Sequence, residues 1–138
     1  MSKEEILNFV NKNRVFYLAT LGDNKPRVRA MSLLEADEDR ILFGTDIHKD
    51  VYRELASNPL IEMCFFSAKE GVQIRITGIV KTIDDKGVKE EIVKTRPFLQ
   101  PIIEKDGYDG LIVYDVSQAK ATKWTLETSY DAKVYIDL

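Results

Sequence analysis

The sequence holds little of the chemistry on which catalytic and metal sites depend. It contains one cysteine, Cys64, and one histidine, His48, so no internal disulfide bond can form. This cysteine usage fits a reducing compartment. Two such residues do not supply the ligand spacing of a structural zinc site. We therefore expect neither a metal site nor a catalytic side chain.

Nucleophilic and phosphate-loop chemistry is also missing. A cysteine–histidine pair would have to join His48 with Cys64, but Cys64 lies in the apolar stretch MCFF, where we expect a small buried residue. Neither a glycine-rich phosphate loop nor a dinucleotide fingerprint occurs. If the protein is an enzyme, we expect a bound cofactor to carry the reaction.

Strong charge and long apolar runs are absent as well. The net charge is -3, whereas a nucleic-acid-binding domain usually has a strongly basic face. No run of about 18 apolar residues predicts a transmembrane helix. The N-terminal sequence MSKEEILNFVNKN lacks the apolar segment of a signal peptide. We expect a cytoplasmic protein without a nucleic-acid or membrane partner, folded as a single domain over residues 1–138.

What the sequence does contain is a series of short apolar stretches separated by turns, which predicts a mostly β fold with flanking helices. Residues 96–110 contain two prolines and two glycines and are expected to be irregular. Many antiparallel strands with few helices indicate a closed or partly closed barrel. Helices are predicted at 2–13, 49–57 and 84–95, and strands at 14–21, 27–34, 40–45, 60–67, 72–83, 111–116, 120–127 and 133–138.

Cationic residues suggest an anion site near the second predicted helix. Lys49 stands at the helix start, shortly after Thr45, where open backbone N–H groups favour an anion such as phosphate. The alternative for Lys49 is a solvated surface lysine. Arg27 and Arg29 share one face of a strand with apolar neighbours, so they need an anion or a carboxylate partner unless they face solvent.

Two further residues are candidates with equally plain alternatives. Gln73 opens the strand at 72–83 on its polar face, where its amide could contact a ligand or simply face water. Gly78 in the same strand indicates a bulge or a close backbone approach. Trp124 is the single tryptophan, and a core or interface role competes with cofactor stacking.

The order of these motifs resembles that of the FMN-binding split-barrel proteins related to pyridoxamine 5′-phosphate oxidase. The matching pieces are FYLAT, PRVRAM, ILFGT with the following HK, the helix closed by SNP, and QIRITG. The resemblance implies a six-stranded antiparallel split β-barrel. It also implies a homodimer with one FMN at each of two subunit-interface sites.

The resemblance also assigns site residues. It implies that Arg29 and Lys49 contact the FMN phosphate, that Thr45 lines the flavin and phosphate site, and that Gln73 reaches the isoalloxazine ring. Arg27 and His48 have looser counterparts, and Trp124 would approach the flavin from the partner subunit.

Two departures separate the chain from the true oxidases. Their pattern has a lysine where this chain has Leu34, and their C-terminal segment carries an arginine and a histidine that KWTLETSYDAKVYIDL lacks. The resemblance therefore implies an FMN-dependent oxidoreductase that passes electrons from a donor such as a reduced nicotinamide to a small acceptor, without vitamin B6 oxidation. The alternative is a non-catalytic protein that binds, stores or senses flavin, haem or deazaflavin.

Overall fold

The computed structural model of the protein describes residues 1–138 and contains seven antiparallel strands. Their sequences alternate between buried and exposed positions, as expected for strands with one face on a core. The strands are β1 (Val15–Gly22), β2 (Lys25–Ala36), β3 (Ile41–Asp46), β4 (Leu60–Ser67), β5 (Val72–Thr82), β6 (Leu111–Thr125) and β7 (Ile136–Asp137).

Six of these strands close into a barrel. The sheet order is β3-β2-β1-β4-β5-β6-β7, and an additional pairing between β3 and β6 joins its two sides. This closure confirms the predicted six-stranded antiparallel barrel with flanking helices. The short strand β7 pairs only with β6 and stands outside the closed ring.

Three phenylalanines fill the centre of the barrel. Phe16, Phe43 and Phe65 are fully buried, and the ring of Phe16 lies 5.7 Å from that of Phe43 and 5.1 Å from that of Phe65. Each buried side chain of this size contributes about 1.5–3 kcal/mol relative to an exposed one. They come from β1, β3 and β4, so the core ties together strands that are distant in sequence.

Four helices flank the barrel: α1 (Lys3–Lys12), α2 (Asp50–Ser57), α3 (Lys86–Thr95) and α4 (Gln100–Asp106). Ser2 caps α1 as predicted, since its hydroxyl accepts a hydrogen bond from the backbone N–H of Glu5 at 3.1 Å. None of the helices has the length and apolar character required to cross a membrane.

Three sequence predictions about the C-terminal half are wrong. The stretch 96–110 is mostly helical, because its prolines occupy first-turn positions, where a missing N–H costs nothing. The two strands predicted at 111–116 and 120–127 are one continuous strand, β6, which passes through Gln118 at a φ of 51°. The strand predicted at 133–138 shortens to Ile136–Asp137.

Gly78 marks the point where β5 shifts its register against β6. The shift lies between Thr77 and Ile79. A Cβ atom at Gly78 would lie 2.4 Å from Cγ1 of Val116 and 2.9 Å from the carbonyl oxygen of Ser117. Both the bulge and the close approach expected from the sequence are present.

Tyr114 places an unsatisfied hydroxyl group inside the barrel. The residue is 2% exposed, and its hydroxyl has no hydrogen-bond partner. Burial, with a smaller contribution from Tyr52, raises its pKa to about 12. The folded protein therefore keeps this phenol neutral at a pH where the unfolded chain ionises it.

We predict that Tyr114→Phe raises the free energy of unfolding by about 1–3 kcal/mol at pH 7, the cost of an unpaired buried hydroxyl. The wild type should lose further stability as the pH rises from about 10 to about 12, since only its unfolded state releases the proton. Urea denaturation of both proteins at pH 7 and above pH 10 measures this. If wild type and Tyr114→Phe had the same free energy of unfolding at pH 7 and above pH 10, the buried, unpaired state of the Tyr114 hydroxyl would be contradicted.

Candidate cofactor site

A cleft of about 930 Å³ opens between β2, the end of β3 and α2. Its volume lies within the usual range for small-molecule sites. Four of the residues singled out in the sequence line it: Arg27, Arg29, Thr45 and Lys49. We call it the α2 cleft.

Lys49 stands at the N-cap of α2 with extended backbone and makes no side-chain capping bond. The first turn of α2, whose residues Asp50 and Val51 line the α2 cleft, therefore has no side-chain acceptor for its backbone N–H groups, which favours an anion. Thr45, from the adjoining end of β3, is 8% exposed and lines the same cleft. Lys49 and Thr45 thus lie together beside the start of α2, and phosphate binding there stays a prediction.

Arg29 has a carboxylate partner within the chain. Its Nη2 donates to Oε1 of Glu54, and its Nη1 donates to Oγ1 of Thr20 at 2.7 Å and, more weakly, to the carbonyl oxygen of Leu18 at 3.4 Å. The hydroxyl of Thr20 in turn donates to Oε1 of Glu54 at 2.6 Å. Of the partners considered for this arginine, an anion or a carboxylate, the folded chain supplies the carboxylate.

The carboxyl group of Glu54 is ionised at neutral pH. Burial alone pushes its pKa upward, but the hydrogen bonds from Thr20 and Arg29 outweigh burial, so its pKa lies below the ordinary value. Its side chain is 10% exposed and that of Arg29 is 26% exposed. Because both side chains are mostly shielded from water, removing one of them would leave the other charge poorly solvated and destabilise the fold.

The cations of the α2 cleft differ in their availability. Arg53 is paired with Asp50 at 2.9 Å, and Arg29 is paired with Glu54. Arg27 and Lys49 are exposed and make no ion pair within the chain. Two unpaired cations beside an open helix N-terminus favour the binding of an anion.

Gln73 and Trp124 line a different cleft of about 740 Å³. They face each other across the β5–β6 pairing, and Nε1 of Trp124 donates to Oγ of Ser129 at 3.1 Å. Arg75 shares this lining and pairs with Glu62 at 3.3 Å, while its Nε is buried without a partner. We call this the tryptophan cleft. It shares no lining residue with the α2 cleft.

His48 lines neither cleft. Its Nε2 lies 2.9 Å from Oδ2 of Asp106, at the end of α4, and its backbone N–H donates to Oδ1 of Asp46 at 2.8 Å. The contact with Asp106 links the loop before α2 to the helical segment that follows α3. A direct contact of His48 with a cofactor stays a prediction.

Strands β1 and β4 separate the two clefts and carry apolar side chains on their outer side. Val15, Tyr17 and Phe66 are at least half exposed there, and Val28 on β2 is 71% exposed. We call these four residues the outer apolar face. Cys64 also points outward and is half-buried, because Met63 and Phe65 take the inward positions of β4. The expectation that Cys64 is buried in the core was wrong.

The chain matches the pyridoxamine 5′-phosphate oxidase family over residues 2–124. The chain belongs to this family. The pyridoxine/pyridoxamine 5′-phosphate oxidase of Mannheimia succiniciproducens is 33% identical over 100 residues, which are 72% of this chain and 47% of that protein. The family member described here thus spans about half the length of that relative.

Solved structures share the fold along nearly the whole chain. A NimC/NimA family protein of Clostridium acetobutylicum has a TM-score of 0.79 and 26% identity, covering 98% of this chain and 92% of that one. A pyridoxamine 5′-phosphate oxidase-related, FMN binding protein of Nostoc punctiforme has a TM-score of 0.67 and 14% identity, with coverage of 100% and 99%. The second likeness shows the fold alone.

Sequence reasoning missed Glu54 and Arg75. Glu54 could have been found, since it stands three residues after Val51 and one before Leu55, on the inward side of α2. Arg29 on β2 is half-buried and needs a carboxylate partner of this kind. Arg75 alternates with Gln73 on β5, and only the fold shows that Trp124 and the C-terminal residues build a cleft around it.

We predict that Glu54→Gln lowers the free energy of unfolding by about 1–3 kcal/mol at pH 7, because the charge-assisted bonds to Arg29 and Thr20 are lost. A depressed pKa stabilises the fold above the ordinary carboxyl pKa, and this stabilisation disappears as the pH falls through the pKa of folded Glu54. The two proteins should therefore become equally stable in acid.

Urea denaturation between pH 7 and pH 2 measures this difference. Glu35→Gln is the matched control, since Glu35 pairs with Arg40 at 3.3 Å in a more exposed setting and should change stability little. A gap between wild type and Glu54→Gln that stays constant down to acid pH would refute the assigned pairing.

Proposed function

We propose that the protein is a homodimeric FMN-binding oxidoreductase that passes electrons to a small acceptor. The observation that carries the proposal is the α2 cleft, where Arg27, Lys49, Thr45 and the open N-terminus of α2 converge in a member of this family. The protein of Nostoc punctiforme that shares this fold is named as FMN binding, so the fold accommodates the proposed cofactor.

In this proposal, Lys49 and Arg27 hold the phosphate by charge, and the N–H groups of α2 donate to its oxygens. Arg29 adds the guanidinium N–H groups that Glu54, Thr20 and Leu18 leave free. FMN, when bound, supplies the hydride or electron transfer, so the chain needs no acid or base of its own. The role of the chain is to bind the cofactor, orient it and exclude water.

A complete site requires a second copy of the chain. The residues proposed for the phosphate and those proposed for the ring, Gln73 and Trp124, lie in separate clefts with β1 and β4 between them. A two-fold dimer packed through the outer apolar face would bring the α2 cleft of one protomer against the tryptophan cleft of its partner. Such a dimer contains two equivalent composite sites and covers the exposed Val15, Tyr17, Val28 and Phe66.

The site does not favour vitamin B6 oxidation or haem binding. Leu34, at the position of the oxidase lysine, is 4% exposed and packs in an apolar cluster with Leu42 and Leu111, so no cation reaches the cleft from there. His48, the one imidazole, already has its Nε2 engaged by Asp106. We therefore propose a flavin-dependent reductase rather than a vitamin B6 oxidase.

The visible absorption spectrum of the purified protein tests the proposal. We expect a flavin spectrum that NADH or NADPH bleaches and that a small acceptor restores. A bound flavin that no donor reduces would instead indicate storage or sensing. A Soret band would indicate bound haem instead of FMN.

Lys49→Ala should weaken FMN binding by about one to two powers of ten, because a charge-assisted phosphate contact contributes about 1.5–3 kcal/mol. Quenching of flavin fluorescence on titration measures the dissociation constant. Lys94→Ala removes an exposed lysine near the end of α3 and should leave FMN affinity unchanged. Equal affinities for Lys49→Ala and wild type would sink the proposed role of Lys49.

Tyr17→Glu should convert the dimer to a monomer, since an ionised carboxylate would be buried without a partner in the outer apolar face. Light scattering measures the molar mass, which should fall to that of one chain. FMN affinity should fall as well, because the proposed site needs both protomers. Phe98→Glu is the matched control, because Phe98 is 67% exposed and lies off this face. A dimeric Tyr17→Glu protein would show that the copies meet elsewhere.

A further inference from the structure

The α2 cleft contains its own anion. Glu54 reaches from α2 to the guanidinium of Arg29, and both groups also bond to the hydroxyl of Thr20, at 2.6 Å from Glu54 and 2.7 Å from Arg29. Glu54 and Arg29 both line the cleft. The carboxylate of Glu54 thus accepts a hydrogen bond from the guanidinium of Arg29, the group that the family resemblance assigns to the ligand phosphate.

The fold makes specific room for this carboxylate. Gly22, at the end of β1, faces Glu54, and a Cβ atom there would lie 3.1 Å from Cγ, Cδ and Oε2 of Glu54. Val51 and Leu55 are each 4% exposed and anchor α2 in the core on either side of Glu54. The position of the carboxylate is therefore built by two strands and a helix rather than by a mobile surface side chain.

This arrangement affects any phosphoryl ligand in two ways. Arginine recognises carboxylate and phosphate oxygens with the same N–H groups, so Glu54 takes donors that a phosphate would otherwise receive. The ionised carboxylate also repels a second anion at short range, in a partly buried setting where water screens little. Both effects weaken anion binding at Arg29.

We propose that Glu54 is a specificity-determining residue that competes with the ligand phosphate for Arg29. This inference rests on the proposed FMN site. Its consequence is that free phosphate binds poorly to the α2 cleft. A ligand must also bind through another part of its structure, as a ring joined to the phosphate does.

Asp50 provides an internal comparison for the charge effect. It lies on the same helix and lines the same cleft, but its side chain is 76% exposed and pairs with Arg53 rather than Arg29. Removing its charge changes the net charge of the cleft by the same amount as removing that of Glu54. It leaves Arg29 in its contact with Glu54.

The test compares wild type, Glu54→Gln and Asp50→Asn in titrations with FMN, riboflavin and inorganic phosphate, the last by displacement of FMN. Riboflavin is the matched ligand because it lacks only the phosphate. We expect Glu54→Gln to bind FMN and inorganic phosphate about tenfold more tightly, the value of about one charge-assisted contact. Riboflavin affinity should not change, and Asp50→Asn should gain clearly less FMN and phosphate affinity than Glu54→Gln, because its exposed carboxylate does not occupy Arg29.

Equal or weaker FMN binding by Glu54→Gln would overturn the inference, because a residue that only positions Arg29 weakens binding when it is removed. An equal gain in Asp50→Asn would also overturn it, since net charge alone would then explain the effect. If wild type binds FMN but Glu54→Gln shows no gain, the proposed function stands and this inference fails. If no variant binds FMN or phosphate, both fail.

Glu54→Asp keeps the test decisive if Glu54→Gln does not fold, which circular dichroism reports. The shorter side chain keeps the negative charge but withdraws it from Arg29. We expect a smaller gain in FMN affinity, again with riboflavin unchanged. An affinity ratio of FMN to riboflavin equal to that of wild type would overturn the inference in this variant too.

Discussion

The double pairing of β6 is the constraint on which the rest of the structure depends. One part of this strand pairs with β3 and the other with β5, and this closes the sheet into a barrel. Closure fixes Thr45 and Lys49 at one end of β3 and fixes Gln73 opposite Trp124 at the far end of β6. One chain therefore presents two separate clefts, with the outer apolar face between them.

The capacity of the α2 cleft to bind an anion depends on which of its cations lack a carboxylate partner. Its lining has four basic and four acidic residues, so net charge does not create the site. What matters is which cations are already paired: Arg29 and Arg53 have carboxylate partners, whereas Arg27 and Lys49 have none. Phosphate binding would thus begin from two available cations and an open helix terminus, with Arg29 shared between ligand and protein.

Local patterns predicted most of the fold but only part of the site. The period-two alternation of β5, the Ser2 cap and the steric demand at Gly78 are encoded by near neighbours, so they could be predicted. The helical form of residues 96–110 could not be predicted in the same way, because proline can either end a helix or occupy its first turn. Glu54 is 25 residues from Arg29, and the division into two clefts depends on barrel closure, so both are properties of the tertiary fold.

A heterodimer measurement tests the shared site most directly. Lys49→Ala and Gln73→Ala chains with different tags are co-expressed, and the mixed dimer is isolated and titrated with FMN. If each site combines the α2 cleft of one protomer with the tryptophan cleft of its partner, one site contains both substitutions and the other contains neither. The account predicts one site of wild-type affinity per mixed dimer. Two weakened sites, with none of wild-type affinity, would contradict it, because each site would then belong to a single chain and carry one substitution.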